Sequence, residues 1–79
     1  MKAAIITGAS VGIGRETAGL FLADGYRVFN LSRRECPLAG VENLACDLAS
    51  TESVGQTLAT LQQELAGGGE IALVHNASQ

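Results

Sequence analysis

The 79-residue sequence has no tryptophan, one proline, one histidine and two cysteines. Aromatic residues amount to 4% and are confined to Phe21, Tyr26 and Phe29, which leaves no stacking platform of the kind single-stranded nucleic acid requires. Charge is also sparse: 16% of residues are charged, and five basic against eight acidic ones give a net charge of −3. That balance fits neither a basic nucleic-acid binder nor a disordered acidic tail. Apolar runs such as Ala3-Ala4-Ile5-Ile6 stop far short of the ~20 residues a membrane span needs. The same run is too short for the core of a signal peptide. The protein is therefore expected in the cytoplasm, without membrane or nucleic-acid partners. Cys36 and Cys46 form no C-x-x-C motif and have no histidine near them in sequence. Reduced thiols are expected, with neither a disulfide nor a metal site. Asn76-Ala77-Ser78 fits the N-glycosylation pattern, but without a secretory signal the match is a chance one.

What the chain does have is 47% apolar residues and ten glycines, unevenly spread. Lys2–Thr7 contains the continuous apolar run Ala3-Ala4-Ile5-Ile6 and reads as a buried strand. Gly8–Gly14 is a loop rich in residues that tolerate unusual backbone angles. A helix follows from Ile13, with Ile13, Thr17, Leu20 and Phe21 on one face, and Gly25 is placed to end it in a left-handed cap. Arg27–Leu31 reads as the second strand and Asn43–Cys46 as a brief third one ending at Asp47. Pro37 and Gly40 make the segment between them too broken for a helix. Ser50 has the character of an N-cap, with Glu52 in the first turn of a second helix. Its predicted face is Val54, Leu58, Leu61 and Leu65, its terminator Gly67-Gly68-Gly69, and the last strand is Ile71–Val74.

This order implies parallel strands joined by right-handed crossovers. The predicted fold class is α/β, a Rossmann-type doubly wound parallel sheet with strand order 3-2-1-4. Strand 4 would then be an open apolar edge, which normally needs a further strand beside it. Since one domain usually takes roughly 100–200 residues, residues 1–79 are expected to be the N-terminal segment of an incomplete domain of a larger protein.

The segment Thr7-Gly8-Ala9-Ser10-Val11-Gly12-Ile13-Gly14 lies between a strand and a helix. That is the setting in which helix N–H groups and the positive end of the helix dipole receive a pyrophosphate. A nucleoside-triphosphate P-loop is excluded, because no Gly-Lys-Ser/Thr follows. The spacing Gly-x-x-x-Gly-x-Gly resembles that of the short-chain dehydrogenase/reductase family. Three later features agree in order: the basic pair Arg33-Arg34 after strand 2, Asp47-Leu48 after strand 3, and His75-Asn76-Ala77-Ser78 after strand 4. The last departs from the family's Asn-Asn-Ala-Gly at His75 and Ser78.

The resemblance implies a cofactor-binding surface built from Gly8, Ser10, Val11, Gly12, Ile13, Gly14, Ser32, Arg33, Arg34, Asp47, Leu48, Asn76 and Ala77. Within it, Ser10 would offer its hydroxyl to the adenosine side of the cofactor, Asp47 and Leu48 would hold the adenine, and Asn76 and Ala77 would line the ribose. On residue type alone, Asp47 is also an ordinary turn residue ahead of a helix. In family members that prefer NAD an acidic residue ends strand 2. Here Ser32 stands at that position and two arginines follow, a combination that accepts a 2′-phosphate with forked, charge-assisted bonds. NADP is therefore expected over NAD.

The family's proton donor is a Tyr-x-x-x-Lys pair with an upstream Ser. Tyr26 is followed four positions on by Asn30, so no residue is assigned a catalytic role and none a metal. His75 is expected to be a buried, hydrogen-bonded histidine. The implied parent protein is an NADP(H)-dependent oxidoreductase acting on a small carbonyl or alcohol, and a homo-oligomer. The alternative is a truncated, non-catalytic nucleotide-binding or partner-binding module.

Overall fold

The structure is a computed structural model that describes residues 2–8 and 12–75. In chain order the elements are β1 (Lys2–Thr7), α1 (Gly12–Ala23), β2 (Arg27–Ser32), β3 (Val41–Ala45), α2 (Thr51–Glu64) and β4 (Glu70–His75). The four strands form one parallel sheet in the order β3-β2-β1-β4, as the sequence pattern requires.

Strand β1 is flanked on both edges and buried on both faces, which explains its Ala-Ala-Ile-Ile composition. Alternate residues divide the core into two layers. On one face Ala4, Ile6 and Val28 pack with Ala18, Phe21 and Leu22 of α1 and with Cys36 and Leu38. On the other, Ala3, Phe29, Leu31 and Cys46 pack with Leu61 and Val54 of α2 and with its C-cap Leu65. The two free cysteines are thus buried in opposite layers. On β4, Ile71 and Leu73 pair with Ala3 and Ile5, yet Leu73 remains 73% exposed.

Local chemistry sets the helix ends. Tyr26 N–H bonds to Phe21 O at 3.0 Å and Gly25 N–H to Leu22 O at 3.1 Å, with Gly25 at φ +82°. These are the two bonds of a Schellman motif, and its usual apolar contact is the edge-on packing of Phe21 against Tyr26 at 4.8 Å. Ser50 caps α2, its Oγ accepting from Ser53 N–H at 3.2 Å.

Several expectations are corrected. The inner face of α1 is Gly14, Ala18, Phe21 and Leu22, one position on from the predicted stripe. Ile13 and Leu20 are 75% and 73% exposed. Small residues win the inner positions because they let the helix approach the sheet closely. In α2 Thr57 is buried where Leu58 was expected, with its hydroxyl bonded to Ser53 O at 3.0 Å. Strand β3 begins at Val41, because Val28 through Ser32 all find partners there, and it ends before Cys46. Helix α2 stops at Glu64 with Leu65 as its cap, ahead of the glycine run.

Two substitutions in α2 should act in opposite directions. Ser50→Ala removes the cap and should cost about 1 kcal/mol. Gly55→Ala, whose new Cβ meets nothing within 4 Å, should stabilise by about 1 kcal/mol through helix propensity. Urea midpoints of the two variants measure both effects, and a shared direction would contradict the assignment of α2.

Candidate functional site

In a parallel sheet every strand ends on the same side, and here the register shows where. Thr7 lies opposite both Leu31 and His75, and Ser32 lies opposite Ala45. The pairing runs on past the strands: Gly8 N–H bonds to Leu31 O and Cys46 N–H to Ser32 O, each at 3.2 Å. The segments after β1, β2 and β3 are thereby drawn together along one edge, the side on which open α/β sheets bind ligands.

Gly8 and Gly12 both have left-handed backbones, at φ +72° and +60°, a conformation that costs a residue with a Cβ about 1–2 kcal/mol. Gly8 N–H is committed to β2, so what this glycine contributes is a turn without a side chain. The anion-attracting N–H groups belong to the first turn of α1, where helix geometry provides them with no intrahelical partner. Ile13 stands exposed on that turn, and Gly14 is buried against the sheet. Ser10 and Val11 lie outside the described residues, as do Asn76 and Ala77.

Ser32 ends β2 and is half-buried, and its Oγ accepts from Arg34 N–H at 3.1 Å. Arg33 and Arg34 are exposed, and among the described residues neither guanidinium forms an ion pair. Arg27, at the opposite edge of the sheet, is a contrast. It bonds Glu42 through two nitrogens, one at 2.7 Å, and also bonds Glu64. The hydrogen bonds it donates to Glu42 and then to Glu64 raise its pKa further. Tyr26 is at that edge too, where its hydroxyl donates to Glu70 Oε2 at 2.9 Å and the bond raises its pKa.

Asp47 and Leu48 are both exposed, in the turn that leads into α2. Asp47 Oδ1 accepts from Ala49 N–H at 3.0 Å, while Asp47 N–H bonds to Ser53 Oγ at 3.0 Å. One carboxylate oxygen therefore serves the turn. The other has no hydrogen-bond partner among the described residues. His75 is exposed rather than buried, but it is hydrogen-bonded, with Nδ1 2.9 Å from Thr7 Oγ1. Position explains the exposure, since β4 is the outer strand of the sheet.

Sequence reasoning passed over Arg15, an exposed cation in the first turn of α1. The helix dipole disfavours a positive charge there, and that mismatch is the signal that could have marked it. Three of the five basic residues thus lie on or beside this edge in a chain of net charge −3. Among the described residues no group of three or more His, Cys, Asp or Glu side chains could hold a metal, and no helix is long and apolar enough to cross a membrane.

Comparison with known proteins agrees with this geometry. The profile of a family described as short chain dehydrogenase matches residues 2–79. L-xylulose reductase of Bos taurus is 38% identical over 87 residues, covering 98% of this chain and 32% of its own length. The protein FixR of Bradyrhizobium diazoefficiens is 32% identical over 83 residues, covering 96% of this chain and 30% of its own. The chain therefore spans about a third of the curated relatives it matches. Among solved structures, a Brucella ovis short-chain oxidoreductase in complex with partially ordered NAD superposes with a TM-score of 0.85 at 34% identity, over 98% of this chain and 38% of that one. Ligand-free Thermoplasma acidophilum aldohexose dehydrogenase gives 0.83 at 32% identity, over 98% and 30%.

The glycine loop supplies a test of its own. Gly12→Ala has room for its Cβ but must hold φ near +60°, so it should cost about 1–2 kcal/mol. Thermal unfolding checks this, and a midpoint equal to that of the unsubstituted chain would contradict the assigned turn.

Proposed function

The chain belongs to the short-chain dehydrogenase family, and from that membership we propose that it is the N-terminal, cofactor-holding part of an NADP(H)-dependent oxidoreductase acting on a small carbonyl or alcohol. The observation that carries this reading is the shared strand edge. It gathers the Gly8 turn, the first turn of α1, Ser32-Arg33-Arg34 and Asp47 along one side of the sheet.

In this reading the N–H groups at the start of α1 hold the pyrophosphate, with Gly8 and Gly12 keeping side chains out of its way. The second oxygen of Asp47 and the backbone of Leu48 are left to hold the adenine. Ser10 and Val11, with Asn76 and Ala77, complete the surface along the phosphates and the ribose. The NAD in the Brucella ovis neighbour supports a nicotinamide dinucleotide at this edge. The choice of the phosphorylated form rests on this chain's own residues. No carboxylate ends β2 to repel a 2′-phosphate, and two guanidiniums follow that form no ion pair among the described residues. Charge-assisted hydrogen bonds contribute about 1.5–3 kcal/mol each, so one such contact gives about a tenfold to hundredfold preference.

Bound nicotinamide would supply the hydride chemistry, and this chain's residues would bind and orient it. The proton donor and the substrate pocket are assigned to a further part of the domain, which would also cover the exposed Ile71 and Leu73 of β4. A cytoplasmic homo-oligomer belongs to the same proposal, on the family resemblance.

Arg33→Asp should shift the preference toward NADH, lowering the ratio of kcat/KM for NADPH over NADH about tenfold to hundredfold in the complete enzyme. An unchanged ratio in steady-state kinetics would sink the assignment of NADP.

A further inference from the structure

The segment that carries the two arginines joins β2 to β3 without a helix, yet two side-chain amides, Asn30 buried and Asn43 half-buried, hold its backbone. Asn30, in the interior of β2, is fully buried opposite Ile6 and Asn43. An apolar residue would fill that core position at no polar cost, whereas a buried amide is destabilising unless it is bonded. Asn30 Nδ2 donates to Arg34 O at 3.0 Å and to Asn43 Oδ1 at 2.9 Å. Asn43 in turn grips the next stretch of the link. Its Oδ1 accepts from Cys36 N–H at 2.7 Å, and its Nδ2 donates to Cys36 O at 3.3 Å.

Arg34 is therefore held at both backbone groups, its N–H by Ser32 Oγ and its C=O by Asn30. Cys36, buried on the α1 side of the sheet, is held at both of its own by Asn43. Arg33 bridges the fixed end of β2 and the fixed Arg34. No buried side-chain nitrogen or oxygen among the described residues is left unpaired, so the pair is a satisfied polar network that reaches into the apolar layer at Asn30. Such networks specify one arrangement.

We propose that the Asn30–Asn43 pair is a positioning device for cofactor choice: it fixes the 32–36 backbone so that Arg33 and Arg34 are already placed for a 2′-phosphate. The inference rests on the reading of the arginine pair given above and adds the residues that make it selective. Neither asparagine need touch the cofactor. Their effect comes from sparing the link the ordering that a loose segment would undergo on binding.

The test uses the full chain titrated with adenosine 2′,5′-bisphosphate and with 5′-AMP, which differ only in the 2′-phosphate. In Asn43→Ala, and in Asn30→Leu/Asn43→Leu, the Kd ratio favouring the bisphosphate should fall about three- to tenfold while 5′-AMP binding stays constant. The double variant leaves neither side-chain amide unpaired but releases Arg34 O and both backbone groups of Cys36, so the exchange measurement below keeps the proposal testable should a variant fail to fold. Equal weakening of both ligands would mean a merely structural role and would overturn the proposal. Arg33→Ala/Arg34→Ala separates the two levels. If it abolishes the ratio while the asparagine variants leave it intact, the positioning role fails and the arginine reading stands. If it leaves the ratio intact, the arginine reading fails and takes the proposal with it. Amide hydrogen exchange in the unsubstituted chain gives a measurement that needs no variant. The Cys36 N–H should exchange more slowly than those of Arg33 and Glu35, and equal rates would overturn the clamp.

Discussion

Strand β1 is the constraint on which the rest of the molecule depends. Paired on both edges and covered on both faces, it tolerates only small or apolar side chains, and Ala3, Ala4 and Ile6 are almost wholly buried. Its direction dictates that of the other strands, and a parallel strand can be reached only by crossing over the sheet. Helix α1 is the crossover from β1 to β2 and helix α2 the crossover from β3 to β4, and they pack on opposite faces. Once those crossovers exist, the ends of the strands must coincide. The candidate site is a by-product of that coincidence, which is why residues as distant in sequence as Gly8, Ser32 and Asp47 meet along one edge.

Charge is distributed to match. Arg27 has a bidentate carboxylate partner and a second acid, ties β2 to β3 and to the end of α2, and covers Phe29 at 4.8 Å. It is part of the packing. Arg33 and Arg34 carry the same side chain but form no ion pair among the described residues, and the backbone of Arg34 is bonded to Asn30 and Ser32.

Much of this was legible in the sequence wherever the local signal and the tertiary requirement coincide. The apolar run of β1, the Gly25 cap, the Ser50 cap and the strand order were all readable, because each follows from one residue type in one place. Helix faces were harder. Ile13 and Leu20 dominate a count of hydrophobicity, but contact with a sheet selects the small Gly14 and Ala18, so the true face is displaced by one residue. Thr57 replaces Leu58 because its hydroxyl is satisfied within its own helix. The Asn30–Asn43 pair was invisible for another reason. An asparagine in a strand reads as solvent-facing, and only the register with β3 shows that each supplies what the other lacks. Within the site, the backbone role of Gly8 and the turn role of Asp47 likewise needed coordinates, since both depend on partners contributed by other segments.

The placement of the two thiols has a consequence of a different kind. Cys36 lies beneath α1 and Cys46 beneath α2, with the sheet between them. A sulfur that is shielded in the native state reacts only when its own covering layer lifts. The protein therefore contains two built-in chemical probes, one for each side of the sheet, whose alkylation rates would tell whether the layers breathe together or one at a time.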